Sequence, residues 1–105
     1  MTGIATVYAL FPSADEADRI GRMMIEERLA ACVNILAPCR SIYRWDGAIE
    51  TGEEVPALFK TRADGCEALV ERIAALHSYA VPAVMAWPID SALPAYAAWV
   101  KAMVS

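Results

Sequence analysis

Two long runs of strand-forming residues, 32–45 and 48–62, are joined by Asp46-Gly47, a dipeptide typical of two-residue hairpin turns. The runs contain 14 and 15 residues, and a strand of the shorter length spans about 46 Å at about 3.3 Å per residue. A compact domain of 105 residues has a radius of gyration of only about 13 Å, and therefore a width of about 33 Å. The sequence thus predicts a hairpin whose outer part projects beyond the body of its domain.

The projecting part of this hairpin carries large apolar and aromatic side chains. They are Ile42, Tyr43, Trp45 and Ile49. Exposed apolar surface and unpaired strand edges both favour association with another chain. A hydrophobic content of 58% and a mean hydropathy of +0.37 also agree with surface that is buried between subunits. The sequence therefore predicts an oligomer.

Composition restricts the partners and the location of the protein. The formal net charge is −4 and the Lys and Arg residues are scattered, so no basic patch for nucleic acid is expected. No apolar run reaches the roughly 18 residues of a membrane span, and the first residues lack the pattern of a secretory signal. Cys32, Cys39 and Cys66 form no CxxC pair, which favours neither a disulfide framework nor a zinc ribbon. We expect one cytoplasmic domain over residues 1–105, with no nucleic-acid or membrane partner.

The N-terminal part predicts a strand followed by a helix. Residues 4–11 are mostly apolar, which indicates a strand in the centre of a sheet. Ser13 and Glu16 form a capping-box pattern, which predicts a helix start and gives Glu16 no role beyond the cap. The helix is expected to run to about Ala31 and to pack closely on the sheet at Gly21.

The two long strands of the hairpin are expected to break. Pro38, Gly52 and Pro56 each remove a ladder donor or loosen the backbone, so bends or bulges are predicted near all three. If no bulge intervenes, pairing about the turn places Tyr43 opposite Glu50.

The C-terminal part predicts a helix, a strand and a final helix. A second capping box at residues 64–67 opens a helix that ends at His77. Residues 82–89 indicate a mostly buried strand, and Pro94 suits the first turn of the last helix. The order βαββαβ, followed by α, matches the ferredoxin-like split βαβ arrangement. This α+β sandwich carries both main helices on one face of an antiparallel sheet.

Several segments together resemble the CutA divalent-cation tolerance family. They are residues 26–34 (EERLAACVN), 41–47 (SIYRWDG), 53–55 (EEV), Lys60-Thr61, 77–79 (HSY), and Tyr96 with Trp99. The resemblance covers essentially the whole chain. It implies a ferredoxin-like homotrimer in which the long hairpin and the C-terminal helix reach neighbouring subunits. It also implies tolerance to copper and other divalent metals, an architecture similar to the PII signalling proteins, and no chemical reaction.

His77 and Glu54 are the candidate metal ligands. His77 is the only histidine, so a histidine-rich metal cage would need several subunits. Among the copper-binding positions that the resemblance implies, only Glu54 offers a donor, and Ala80 and Ala83 replace carboxylates that the family has near the histidine. We therefore expect weak binding of Cu(II) or another divalent cation and no required cofactor. The alternative for His77 is packing or capping at a helix C-terminus.

The aromatic residues Tyr43, Trp45, Tyr79, Tyr96 and Trp99 have two interpretations. They suit a ligand cleft, since Tyr and Trp combine large rings with one polar group. They also suit an interface between subunits. We expect the interface, because the hairpin needs another chain to cover it.

Cys66 is the thiol expected to be reactive, because the dipole at the first turn of a helix lowers the pKa of a thiol there. Cys32 lies among small apolar residues and is expected to be buried and inert. Cys39 lies in the hairpin, where the family has a small residue. No Cys-His nucleophilic pair is expected.

Three functions follow, in order of preference. The first is a trimeric, non-enzymatic protein of metal tolerance that binds a divalent metal or another small ligand in inter-subunit clefts. The second is a PII-like regulatory module that binds a nucleotide, a small ligand or a partner protein, which rests on analogy of architecture. The third is an enzyme that uses Cys66 or His77, for which the sequence indicates no substrate.

Overall fold

Five β-strands and three α-helices make up the fold, which a computed structural model describes for residues 1–105. In chain order they are β1 (Ile4–Phe11), α1 (Ala14–Glu26), β2 (Cys32–Ile35), β3 (Cys39–Trp45), β4 (Ala48–Arg62), α2 (Cys66–Leu76), β5 (Val84–Pro88) and α3 (Pro94–Met103). A short 3₁₀ helix, Ala63–Gly65, precedes α2. The predicted order is confirmed, with the first strand of the long hairpin divided into β2 and β3.

The strands form one antiparallel sheet in the order β2-β4-β1-β5, and β3 pairs with the outer half of β4. β1 therefore lies in the centre, as predicted. Helices α1 and α2 cover one face of the sheet and enclose the main core. Its largest members are Phe11, Ile20, Met24, Phe59, Leu69 and Ile73. This arrangement confirms the predicted α+β sandwich.

The second face of the sheet is only partly covered. Side chains alternate along a strand, so Ile4 lies on the face opposite to Val7, a member of the main core. Ile4 packs with Ala97 and Val100 of α3 in a smaller cluster. Helix α3 therefore covers one end of this second face and leaves the remainder open.

The hairpin of β3 and the outer half of β4 projects from the body, as predicted. The molecule measures 45 × 26 × 23 Å with a radius of gyration of 14.3 Å, longer in one direction than a compact domain of this length. Ile42, Trp45 and Ile49 are 66%, 63% and 69% exposed. The predicted apolar surface is therefore present on the hairpin of the single chain.

The turn of the hairpin has the predicted geometry. Asp46 and Gly47 have φ angles of 51° and 77°, the left-handed values that a type I′ turn requires at both central residues. Tyr43 pairs with Glu50. The register is therefore the predicted one, without a bulge.

The prediction of broken strands is correct at Pro38 and wrong at Gly52 and Pro56. The chain leaves the ladder between β2 and β3, but β4 runs unbroken for 15 residues. Leu36 donates its N–H to the Pro56 carbonyl at 2.9 Å. In an antiparallel pair a residue directs its N–H and C=O to the same neighbour, so the absent N–H of Pro56 faces the gap between β2 and β3. Gly52 stays in the strand with the Tyr43 hydroxyl over its Cα, 3.6 Å from where a Cβ would lie.

Helix α1 ends at Glu26, which is earlier than predicted. Arg28 has a φ of 59°, a left-handed conformation that commonly ends helices. The chain then turns into the sheet, where Ala31 donates its N–H to the Lys60 carbonyl at 2.8 Å. The predicted close approach at Gly21 is confirmed, because a Cβ there would lie 3.1 Å from a Val33 methyl carbon.

The two predicted capping boxes are only partly present. The Ser13 hydroxyl accepts a hydrogen bond from the Glu16 N–H at 3.2 Å, but the Glu16 carboxylate bonds elsewhere. At the start of α2 no side chain caps the helix. Asp64 instead accepts two hydrogen bonds from Arg62, at 3.0 and 3.1 Å, so the second capping box is wrong.

The C-terminal elements differ from the prediction in burial. The last strand is shorter than residues 82–89, and in the single chain Met85 and Trp87 are 46% and 45% exposed. They are exposed because β5 is an edge strand whose second face has no helix over it. Helix α3 starts at Pro94 as predicted. None of the helices has the length and apolar character needed to cross a membrane.

Candidate functional site

A groove of about 900 Å³ lies between the projecting hairpin and the loop that follows α2. One wall comes from β3 and β4, and the other from the loop together with Leu10 of β1. The lining combines three aromatic rings with three carboxylates. They are Tyr43, Trp45, Tyr79, Glu50, Glu53 and Glu54. The groove therefore offers apolar contact area with an excess of negative charge, against which Arg44 is the one lining cation.

The predicted site residues divide into two groups. Tyr43, Trp45, Tyr79 and Glu54 meet in the groove. Tyr96 and Trp99 lie on α3, away from the groove lining, with ring centroids 5.9 Å apart. The aromatic residues therefore do not form one cleft within a single chain.

Tyr96 connects α3 to the sheet through Cys32. Its hydroxyl oxygen lies 3.4 Å from the Cys32 sulfur. Burial, followed by the contact with Cys32, raises the pKa of Tyr96 to about 12, so the phenol keeps its proton at neutral pH. Cys32 is half-buried, less buried than predicted.

His77 is buried beneath the groove wall, with both ring nitrogens engaged. Its Nε2 donates to the Leu10 carbonyl at 2.7 Å, and its Nδ1 accepts from the Tyr79 N–H at 3.0 Å. A carbonyl can only accept and an amide N–H can only donate, so this arrangement fixes the neutral Nε2–H tautomer. The ring also stacks on Phe11 with centroids 5.0 Å apart. These contacts agree with the alternative prediction for His77, that it packs at the end of a helix. A metal bound by His77 would have to displace one of its two hydrogen bonds.

Glu54 is the predicted metal ligand that reaches the groove. It lies opposite Cys39 in the ladder between β3 and β4 and close to two phenols. Burial, followed by the Glu54 carboxylate, raises the pKa of Tyr79. Burial, followed by Cys39 and Glu54, raises the pKa of Tyr8. Within one chain no three His, Cys, Asp or Glu side chains come close enough to hold a metal ion, so a complete site needs donors from outside the chain.

The sequence predicted a lowered pKa for the Cys66 thiol, and this prediction is wrong. Burial, followed by the nearby Asp64 charge, raises the pKa of the Cys66 thiol. Its sulfur lies 3.9 Å from the Arg62 carbonyl oxygen. Burial therefore outweighs the helix dipole on which the prediction rested, and the thiol stays protonated at neutral pH.

Glu16 is the residue near the groove that the sequence interpretation missed. Its Oε2 accepts hydrogen bonds from the Ser78 N–H at 3.1 Å and the Ser78 hydroxyl at 3.0 Å. The same oxygen lies 3.5 Å from His77 Nδ1. Burial opposes ionisation of this carboxyl, but the hydrogen bonds from Ser78 and the Arg19 charge outweigh it and lower the pKa of Glu16. Glu16 and Ser78 are 62 positions apart in sequence. The sequence around Glu16 showed only a capping pattern and gave no sign of this contact.

The open part of the second sheet face carries an aromatic cluster beside the hairpin. The rings of Tyr8 and Trp87 lie 6.0 Å apart, and Met85 pairs with Tyr8 across the ladder. Apolar surface is therefore uncovered on this sheet face as well as on the hairpin of the single chain.

Comparison with known proteins gives consistent results. The chain matches the family model described as CutA1 divalent ion tolerance protein over residues 5–103. It is 42% identical over 95 residues to the divalent-cation tolerance protein CutA of Thermus thermophilus, covering 90% of this chain and 92% of that protein. It is 37% identical over 98 residues to the protein of the same name from Archaeoglobus fulgidus, covering 93% and 95% of the two chains.

A solved structure agrees with the fold. The crystal structure of CutA from Xylella fastidiosa superposes with a TM-score of 0.95 at 36% identity, covering 98% of this chain and 99% of that one. The similarity therefore includes the projecting hairpin and α3 as well as the body.

Proposed function

Because the chain belongs to the CutA divalent-cation tolerance family, we propose that it acts in divalent metal tolerance as a non-enzymatic homotrimer. In this proposal the trimer binds a divalent cation weakly at the groove, with Cu(II) as the first cation to test. The observation that carries the proposal is the groove itself, where three carboxylates line an apolar wall on a hairpin that needs another chain to cover it.

The uncovered apolar regions support the trimer. Trp45 and Ile49 on the hairpin and Trp87 on the open sheet face expose large apolar areas. At about 25 cal/mol per Å² of apolar surface removed from water, covering such side chains favours association. In a closed ring of three copies each interface joins two different patches of the chain, so the hairpin of one copy and the open sheet face of the next can cover each other.

The carboxylates of the groove support cation binding. Glu50, Glu53 and Glu54 supply oxygen donors of the kind that divalent cations accept. Since one chain brings no three such donors together, we propose that the site is completed between subunits. His77 contributes an imidazole to this site only if its ring gives up a bond to Leu10 or Tyr79, which makes tight Cu(II) binding unfavourable.

The experiment combines light scattering with calorimetric titration of Cu(II). We expect the mass of a trimer at micromolar concentration and weak binding of Cu(II). Glu54→Gln should weaken binding at least tenfold, since the loss of even an outer-shell partner costs about 10–100-fold in metal affinity. Glu71→Gln is the matched control, because Glu71 is an exposed carboxylate on α2 outside the groove. A monomer, or equal affinity in both variants, would contradict the proposal.

A PII-like ligand role is the second candidate, favoured by the aromatic rings in the groove. Tyr43, Trp45 and Tyr79 could stack on a planar base. The negative charge of the groove opposes phosphate groups, which places this role second. Titration with ATP decides between the two, since nucleotide binding without cation binding would favour the PII-like module.

We also propose that the protein functions in the cytoplasm without nucleic acid. Its cysteines are unpaired, which suits a reducing compartment, and its net charge of −4 disfavours nucleic acid. Cell fractionation tests the location, and recovery in a periplasmic fraction would contradict it. The raised pKa of Cys66 supports a non-enzymatic role, because the thiolate is the nucleophilic form.

A further inference from the structure

Three elements meet under the groove wall at one hydrogen-bonded cluster. Glu16 comes from the first turn of α1, Leu10 from the end of β1, and Ser78 with His77 from the end of α2. The Glu16 side chain is only 11% exposed and that of His77 is fully buried. The next residue along the chain, Tyr79, lines the groove.

The bonds in this cluster converge on the backbone that carries Tyr79. The Glu16 carboxylate holds both the N–H and the hydroxyl of Ser78. The His77 ring holds the Tyr79 N–H at 3.0 Å, and its centroid lies 4.8 Å from that of Tyr79. Two consecutive backbone N–H groups in a loop thus find side-chain acceptors, which is how irregular segments are fixed in one conformation.

We infer that Glu16 is a positioning residue for the groove, whose carboxylate fixes the Ser78-Tyr79 backbone and so holds the Tyr79 side chain against the ligand. The identity of the ligand in this inference rests on the proposed function, whereas the hydrogen bonds that fix the loop are observed in the structure. Glu16 acts through its two hydrogen bonds with Ser78 and does not itself line the groove. A carboxylate used only to cap α1 would bond the N–H at the helix start, and this one does not.

The test uses Glu16→Ala and Glu16→Gln, with Asp15→Asn as the matched control. Asp15 is an exposed carboxylate in the same first helical turn. Alanine removes the acceptor, whereas the glutamine carbonyl keeps an oxygen with two lone pairs in the same place. Each variant is labelled with fluorotyrosine, and the Tyr79 resonance is assigned among the four tyrosines with Tyr79→Phe.

We expect Glu16→Ala to shift the Tyr79 fluorine resonance and to weaken Cu(II) binding about tenfold, in line with the loss of an outer-shell partner. Glu16→Gln should restore both measurements, and Asp15→Asn should leave both unchanged. A Tyr79 resonance unmoved in Glu16→Ala would overturn the inference, as would a glutamine variant that behaves like alanine. If the wild type binds no cation, the proposed function fails, while the resonance still decides the positioning role.

Discussion

The body of the molecule and its projecting hairpin differ in what covers their apolar side chains. In the body, Phe59 and Ile20 are fully buried between the sheet and the two main helices. In the hairpin, Ile42 and Trp45 remain largely exposed although every residue of β3 is paired with β4. The β3 ladder is thus paired along its whole length, but its side chains lack the enclosure that the two main helices give to the core of the body.

This difference shows where the single chain is self-sufficient. A two-stranded hairpin without a covered face is marginal in water, so this one depends on the body at one end and, in the proposed trimer, on a neighbouring subunit along its length. The groove lies at the boundary of these regions, since Trp45 comes from the hairpin and Tyr79 from a loop of the body. A ligand bound in the groove would therefore contact both the hairpin and the body.

The largest expected effect comes from opening the core of the body. Phe59→Ala removes a fully buried ring that packs between β1, β2 and α1, and we expect a loss of about 3–5 kcal/mol in the free energy of unfolding. Chemical denaturation measures it, with Phe59→Leu as the milder control. A loss below about 1 kcal/mol would mean that the body is less self-sufficient than its packing indicates.

A substitution in the hairpin should weaken subunit association rather than the folding of the single chain. Trp45→Ala removes a largely exposed ring, so secondary structure should persist while subunit association weakens by about 2 kcal/mol or more, as for an interface hot spot. Light scattering over a dilution series measures this. Ile25→Ala, an exposed apolar change on α1, is the control and should not alter association. Equal dissociation of both variants would remove the contrast between hairpin and body.

The elements that the sequence predicted well are those whose signal is local. The apolar content of residues 4–11 predicts β1 with its observed bounds, and Asp46-Gly47 predicts the turn and the register. The end of α1 was not predictable in this way. It depends on Arg28 in a left-handed conformation, which is uncommon for a residue other than Gly, Asn or Asp and is therefore not indicated by the local sequence.

The site was less predictable than the fold because its contacts are distant in sequence. Glu16 matches a capping pattern, yet its carboxylate binds Ser78, and no local pattern encodes that partner. The error on Cys66 has a similar origin, since burial by the surrounding chain outweighs the helix dipole visible in the sequence. The sequence predicted groove residues whose aromatic or acidic side chains suggested a binding role, such as Tyr79 and Glu54.

A smaller effect is expected where α1 touches the sheet. In Gly21→Ala the new Cβ would lie 3.1 Å from a Val33 methyl carbon, which strains the packing by about 1–3 kcal/mol. Alanine also favours the helix by about 1 kcal/mol over glycine, so we expect a net loss of about 1 kcal/mol. The double variant with Val33→Ala should lose the strain term, measured as a coupling energy in a denaturation cycle. Additive losses would show that the contact relaxes freely.

The smallest effect, on acidification, tests whether the boundary between body and groove is held by a charge. The pKa of Glu16 is lower in the folded chain than its ordinary value, because the hydrogen bonds from Ser78 and the Arg19 charge outweigh the opposing burial. A lowered folded-state pKa contributes stability above the ordinary value of about 4.3, and this stability is lost as the pH falls through the folded-state value. Wild type should therefore lose more thermal stability than Glu16→Gln between pH 5 and pH 3, and the two should differ by a constant amount above pH 6. Parallel melting curves across the whole range would show that the Ser78 bonds do not depend on the carboxylate charge, leaving hydrogen-bond geometry alone to hold the groove wall.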